Sequence, residues 1–124
     1  MLRSTDATAM LAVRDLGAAR SFYADVLGFE PKDDEMGIVS FESGRTPVAL
    51  YESEYAGTNQ ANALAWSVGD RFDDVVTTLR DRGVTFERYD LPGMTLEGDV
   101  HVADGFKAVW FKDPDGNILH INGS

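Results

Sequence analysis

Cysteine is missing from this chain, and with it go disulfide bonds, a thiol nucleophile and thiolate metal ligands. No apolar run approaches the length of a secretion signal or a membrane-spanning helix, so neither is expected. Bases are scarce. The 11 Lys and Arg stand against 21 Asp and Glu, a formal charge of −10 that repels nucleic-acid phosphates and anionic lipid over most of the surface. Nucleic acid and membrane are therefore excluded as partners, and a cytoplasmic protein is expected. The acidity reads as a solubility device or as an attraction for a cationic ligand. No Ser-His-Asp order, phosphate-cradling loop or spaced pair of carboxylates stands out, which gives hydrolytic and phosphate-binding chemistry no carrier.

What is present suffices for one folded domain: 124 residues, 44% apolar and 26% charged, match a globular average and argue against disorder outside the ends. The stretch Val109-Trp110-Phe111-Lys112-Asp113-Pro114-Asp115-Gly116-Asn117-Ile118-Leu119-His120-Ile121 reads as strand, turn and strand. Pro114 presets φ, Asp115 can bond the backbone that follows it, and Gly116 accepts φ > 0. The short return strand needs an existing sheet to receive it.

The rest of the chain supplies that sheet twice. Residues 8–13 read as a strand, Asp15 as the cap of a helix whose face is Leu16, Ala19, Phe22, Tyr23, Val26 and Leu27, and Gly28 as its left-handed end. Strands follow at Phe29 to Asp33, Ile38 to Phe41 and Pro47 to Glu52, with a turn at Asp34 to Gly37. Residues 54–62 have a connector's composition. A strand then returns at Ala63 to Val68, Asp70 caps a helix carrying Phe72, Val75, Val76 and Leu79, and Gly83 ends it before a strand at Val84 to Phe86. Asp15 to Gly28 and Asp70 to Gly83 are both thirteen residues, so the two halves repeat at an offset of fifty-five. Glu87 to Gly105 lacks a counterpart and reads as an inserted loop over one rim, with a short strand at Val100 to Val102. The expected fold is α+β: two βαβββ modules (about 8–53 and 63–122) joined by a linker (about 54–62) in a single domain, their mixed sheets curving around a cleft, with one main helix per module on the outer face.

Val13-Arg14-Asp15-Leu16, Ser21-Phe22-Tyr23, Val26-Leu27-Gly28-Phe29 and Phe111-Lys112-Asp113-Pro114-Asp115-Gly116-Asn117, each at its place in the repeat, make the chain resemble the vicinal oxygen chelate superfamily. That superfamily includes glyoxalase I, bleomycin resistance proteins, fosfomycin resistance enzymes and extradiol dioxygenases. The resemblance implies paired modules forming a cleft for a small molecule, commonly in a homodimer. It also implies one divalent metal held by His, Gln or Glu on the first and last strands of the modules. At the first-strand positions this sequence has Thr8 and Ala63. At the last-strand position of the second module it has His120; the first-module counterpart, counted from Phe41, is Leu50, with Glu52 two residues on. A Thr hydroxyl is a poor ligand and Ala has none, so the metal pattern is broken.

Strand alternation then nominates the cleft wall. If Thr8 and Ala63 face the cleft, so do Met10, Ala12, Arg14, Ala65 and Ser67, while Leu11, Val13, Leu64, Trp66 and Val68 pack beneath the helices. Small residues leave volume, and Trp110 or Phe111 reaches the same space. The nominated ligand-binding set is Met10, Ala12, Arg14, Ala63, Ala65, Ser67, Trp110 and His120, with Tyr89, Leu91 and Met94 as an apolar lid. Arg14 pairs an anionic ligand or makes a surface salt bridge. His120 is a wall histidine, a ligand-facing hydrogen-bonding or acid-base group (the general base, were the protein a metal-free enzyme) or a metal ligand; His101 is a solvated loop residue. No cofactor is expected, and the partner is a small molecule, aromatic or cationic. The competing expectation is a glyoxalase-like or dioxygenase-like enzyme using a divalent metal at His120 and Glu52, with an unrecognised third ligand such as His101 from the loop.

Overall fold

Alternation of apolar residues builds two sheets, one in each of two compact units. The computed structural model describes residues 1–34 and 37–124; Glu35 and Met36 of the expected turn at Asp34 to Gly37 lie outside the described residues. In the first unit (Met1–Thr58 with Pro114–Asn117), strand β1 (Ala9–Val13) is followed by helix α1 (Leu16–Ser21) and a π-helical turn (Phe22–Val26). Strands β2 (Glu30–Pro31), β3 (Val39–Ser43) and β4 (Thr46–Glu52) complete it in the order β1-β4-β3-β2, with β1 parallel to β4 and the other pairs antiparallel. Parallel pairing of the first and last strands needs a crossover, and α1 provides it. Leu11 and Val13 share the buried face with Phe41, Val48 and Leu50, against which Tyr23 lays its ring, 6.5 Å from Phe41.

Both ends of α1 follow from the residues there. The Asp15 carboxylate accepts from the Ala18 amide at 3.1 Å, satisfying one of the donors a helix start leaves free. At the other end Leu27 N–H bonds the Phe22 carbonyl (3.1 Å) and Phe29 N–H the Tyr23 carbonyl (2.9 Å), around Gly28 at φ +75°. The connector is tighter than its composition suggests: Ala56 is fully buried, and residues 54–58 belong to the first unit. The turn Pro114–Asn117 belongs to that unit too. Asp115 Oδ1 accepts from the Arg14 amide (2.9 Å), Asn117 Nδ2 donates to the Ala12 carbonyl (2.9 Å), and the Asp115 carbonyl oxygen sits where a Cβ on Gly57 would stand.

The second unit (Asn59–Asp113 with Ile118–Ser124) holds β5 (Asn62–Ser67), α2 (Phe72–Asp81), β6 (Thr95–Glu97), β7 (Val100–Ala103), β8 (Phe106–Lys112) and β9 (Ile118–Gly123). Its sheet runs β5-β9-β8-β7-β6, again with the first and last strands parallel. Phe72, Val76 and Leu79 of α2 are buried on the Leu119 and Ile121 side, each stabilising by roughly 1.5–3 kcal/mol. The helix ends as the sequence predicts, in a Schellman motif: Gly83 N–H bonds the Arg80 carbonyl and Val84 N–H the Leu79 carbonyl, both at 3.0 Å.

Three expectations need correction here. Asp70 does not cap α2: it lies in a 3₁₀ turn (Gly69–Arg71), and the helix starts at Phe72 without a side-chain cap. Val84 to Phe86 is not a strand; only Phe86 makes an isolated bridge, to Phe111. The repeat's second strand is instead β7, which contains the expected short strand at Val100 to Val102 and pairs to β8 as β2 does to β3, while β6, in the stretch read as a loop, is an added fifth strand. Alternation over the three residues of β6 is too short a signal to separate that strand from a loop. Among the described residues no helix is long and apolar enough to cross a membrane.

These differences set unequal costs for similar substitutions. Asp15→Ala should lower stability by about 1 kcal/mol and Asp70→Ala by less than about 0.5 kcal/mol. Gly57→Ala, which forces both a positive φ and an overlap with the Asp115 carbonyl, should cost more than about 2 kcal/mol. Chemical denaturation of the three variants measures the ranking, and equal losses at the two aspartates would contradict the capping difference.

Candidate functional site

The second sheet has one face under α2 and one without a helix, and the ladders decide which side chains reach the latter. Ala65 lies opposite His120 and Ser67 opposite Asn122 on β5 and β9; Trp110 on β8 lies opposite His120, and His101 on β7 opposite Ala108. Directly paired residues share a face, so all of these point away from Leu119 and Ile121. The β5–β9 register skips between Asn62 and Leu64, leaving Ala63 without a ladder partner. Such a bulge re-aims the strand, and Asn62 joins the open face, where its Oδ1 accepts from Trp110 Nε1 at 3.1 Å.

Trp110 is the centre of this face. The His120 ring stacks on the indole (4.5 Å, 26°), His101 meets it edge-on (4.8 Å, 83°), and Tyr89 completes the group at 5.5 Å. Backbone partners determine both imidazole tautomers. His120 Nδ1 lies 3.2 Å from the Val109 carbonyl, an acceptor only, so Nδ1 carries the proton and the Nε2 lone pair accepts from Asn122 Nδ2 at 3.1 Å. His101 Nε2 accepts from the Tyr89 amide at 3.0 Å, which leaves the proton on Nδ1. That N–H is buried with no partner among the described residues.

The electrostatics favour neutral groups. Burial lowers the His120 pKa below the ordinary 6.5; the Val109 carbonyl opposes this and His101 adds to it. Tyr89 is raised, chiefly by burial and then by Glu87, so its phenol stays protonated. Although the chain carries −10, the five strands of this sheet contain a single acid, Glu97, and it lies on the opposite face, next to Leu96, which pairs with His101.

The structure gathers Ala65, Ser67, Trp110 and His120 on this face, as alternation predicts. It places Met10 and Ala12 on the helix-free face of the first sheet, and Arg14 beyond the end of β1, with its guanidinium beside Gly57. His101 is the main correction: it is fully buried beneath Tyr89 and Trp110, not a solvated loop residue. Asn62 and Asn122 were outside the nominated set. The two-residue spacing from His120 was the available signal for Asn122, whereas a bulge that brings in Asn62 has no mark in the sequence.

A divalent ion does not fit the described donors. The lone pair with which His120 would ligate is taken by Asn122, that of His101 by Tyr89, and no group of three or more His, Cys, Asp or Glu gathers among the described residues. The ladders also revise the first-module counterpart: Met10 pairs with Ala49 as Ala65 does with His120, so the equivalent residue is Ala49, not Leu50. Glu52 alternates onto the Leu50 face, opposite to Ala49 and Tyr51.

The comparisons with known proteins agree with this architecture. The family model described as the Glyoxalase/Bleomycin resistance protein/Dioxygenase superfamily matches residues 7–121. Among solved structures, a lactoylglutathione lyase from Agrobacterium tumefaciens is similar at 23% identity and TM-score 0.70, covering 100% of this chain and 96% of its own. The fosfomycin resistance protein FosX from Listeria monocytogenes is similar at 14% identity and TM-score 0.71, covering 98% and 93%. A glyoxalase/bleomycin resistance protein/dioxygenase from Alicyclobacillus acidocaldarius is similar at 17% and 0.72, covering 97% and 91%. At these identities the structures show the fold alone. No curated protein sequence matches the chain.

The neutral, buried His120 makes stability depend on pH. Between its lowered folded pKa and the unfolded value of 6.5, the unfolded chain binds a proton that the folded one does not. Stability from the neutral ring is therefore complete above 6.5 and declines as pH falls through it. Asp99, held low by its hydrogen bond to Arg88, titrates below this window. The Tm should drop from about pH 7.5 to about pH 5.5, and drop less in His120→Phe. Identical pH dependence in the two proteins would mean that His120 titrates as it does unfolded.

Proposed function

The chain belongs to the Glyoxalase/Bleomycin resistance protein/Dioxygenase superfamily, and from that membership we propose that it is a metal-independent binding protein for a small, uncharged aromatic molecule. The ligand lies on the helix-free face of the second sheet. The observation that carries this reading is the Trp110 cluster: an indole held by Asn62 and two imidazoles, half-buried, beside the small exposed residues Ala65 and Ser67. Aromatic rings fixed by hydrogen bonds offer area to a planar ligand at little cost in side-chain entropy. The strands place no carboxylate on this face and Glu87 at its margin is bridged to Lys112, so a cation finds no free ion-pair partner there and the protein's acidity serves solubility rather than capture.

Binding rather than turnover follows from the state of the histidines. A general base needs a free lone pair within reach of a substrate proton, and on both rings that lone pair is engaged. His120 acts as a positioned wall, holding the indole flat from one side while its own hydrogen bonds to Val109 and Asn122 prevent rotation. In the cell the chain acts as a homodimer. Each sheet is open and has two edge strands, and a second copy covers such edges.

A thermal-shift screen of uncharged and cationic aromatics, with and without EDTA, tests the reading. An uncharged aromatic at a hundred times its Kd should stabilise by about 2.7 kcal/mol, unaffected by chelator. Trp110→Ala should weaken that binding by about 1–3 kcal/mol. Near-stoichiometric Zn, Ni, Mn or Fe in protein purified without chelator would instead establish a metal-dependent enzyme. Sedimentation at the 13.6 kDa mass of one chain would overturn the dimer.

A further inference from the structure

The buried N–H of His101 has no role in the packing just described. The ring belongs to a fully buried residue, its Nε2 is committed to the Tyr89 amide, and the remaining Nδ1–H meets no acceptor among the described residues. An orphaned donor of this kind is costly, and a fold keeps one only where something outside the chain supplies the acceptor. The imidazole sits edge-on against the Trp110 indole, 4.8 Å between centroids, on the same sheet face.

We propose that His101 is a specificity-determining residue whose Nδ1–H donates to a carbonyl oxygen carried by the aromatic ligand, so that the protein selects ring ketones over the same ring systems without the carbonyl. This rests on the aromatic-binding reading above and narrows it. The acceptor is neutral. The surrounding sheet face offers an anion no cation except Lys112 at the end of β8, which is already bridged to Glu87 at 3.5 Å. A neutral carbonyl matches a neutral imidazole, whereas a carboxylate would be desolvated against Trp110 and Tyr89 without a counter-charge. Access requires the Tyr89 ring, 5.9 Å from the imidazole and tilted by 41°, to turn aside. The Tyr89 backbone stays in place, because its amide is what keeps the Nδ1 tautomer.

The test uses 4-chromanone and chromane, which share a bicyclic frame and differ by the ring carbonyl, titrated into the intact protein and followed by tryptophan fluorescence. Wild type should bind 4-chromanone about tenfold more tightly, the discrimination expected when a buried donor is left unpaired by the analogue. In His101→Phe, which keeps a ring but removes the donor, the ratio should fall to near one. In wild type, the His101 Nδ1 resonance in long-range ¹H–¹⁵N spectra should move with 4-chromanone and not with chromane, a readout that does not depend on the variant folding. Equal affinity for the two probes, an unmoved resonance, or a preference that survives His101→Phe would overturn the proposal and assign the N–H to a buried water, leaving the aromatic-binding reading standing. Failure of both probes to bind at millimolar concentration would overturn the two together.

Discussion

The parallel pairing of β5 with β9 is the constraint from which the rest of the second unit follows. A parallel pair cannot be closed by a tight turn, so the chain must cross over, and α2 is the element that does so, covering one face of the sheet. Once that face is covered, the register assigns every side chain on β9: Leu119 and Ile121 go beneath the helix, His120 and Asn122 to the open side. A slip by one residue would exchange these sets, burying the imidazole under α2 and exposing two aliphatic side chains. The bulge at Ala63 is the single departure from strict pairing, and it places Asn62 against Trp110.

Neutrality is the second organising feature. In a strongly acidic chain the strands of this sheet carry no carboxylate on the open face, and burial favours the uncharged forms of His120 and Tyr89. The hydrogen bonds of His120 are arranged for that state: a carbonyl on the protonated nitrogen and an amide donor on the bare one. Protonation would set two donors against each other at Asn122 unless its amide turned over. Acidic residues near this region are paired instead, Asp99 with Arg80 and Arg88, and Glu87 with Lys112.

The turn Pro114–Asn117 shows how one short motif serves two purposes. Its φ preferences suit a chain reversal between β8 and β9, with Gly116 at φ +94°. Its polar side chains act elsewhere, Asp115 on the Arg14 amide and Asn117 on the Ala12 carbonyl, at the end of β1. The close approach of Gly57 to the Asp115 carbonyl explains why a connector rich in polar residues nevertheless contains the fully buried Ala56.

Local chemistry made much of this legible. The caps Asp15, Gly28 and Gly83, the hairpin at Asp113 to Asn117, and the two-fold repeat with its helix-covered faces all depend on residues close in sequence, whose preferences survive in the fold. So did the membership of Ala65, Ser67, Trp110 and His120 in one face, because alternation has period two wherever a strand is regular. What the tertiary structure alone decided lies where pairing is irregular or partners are distant. The strand at residues 95–97, the placement of Asn62 by a bulge, the Ala49 counterpart and the burial of His101 beneath Tyr89 and Trp110 are set by register and by contacts between elements. Side-chain periodicity does not mark where a bulge shifts the register, and a hydrogen bond as distant as Tyr89 to His101 leaves no local trace in either residue's neighbourhood.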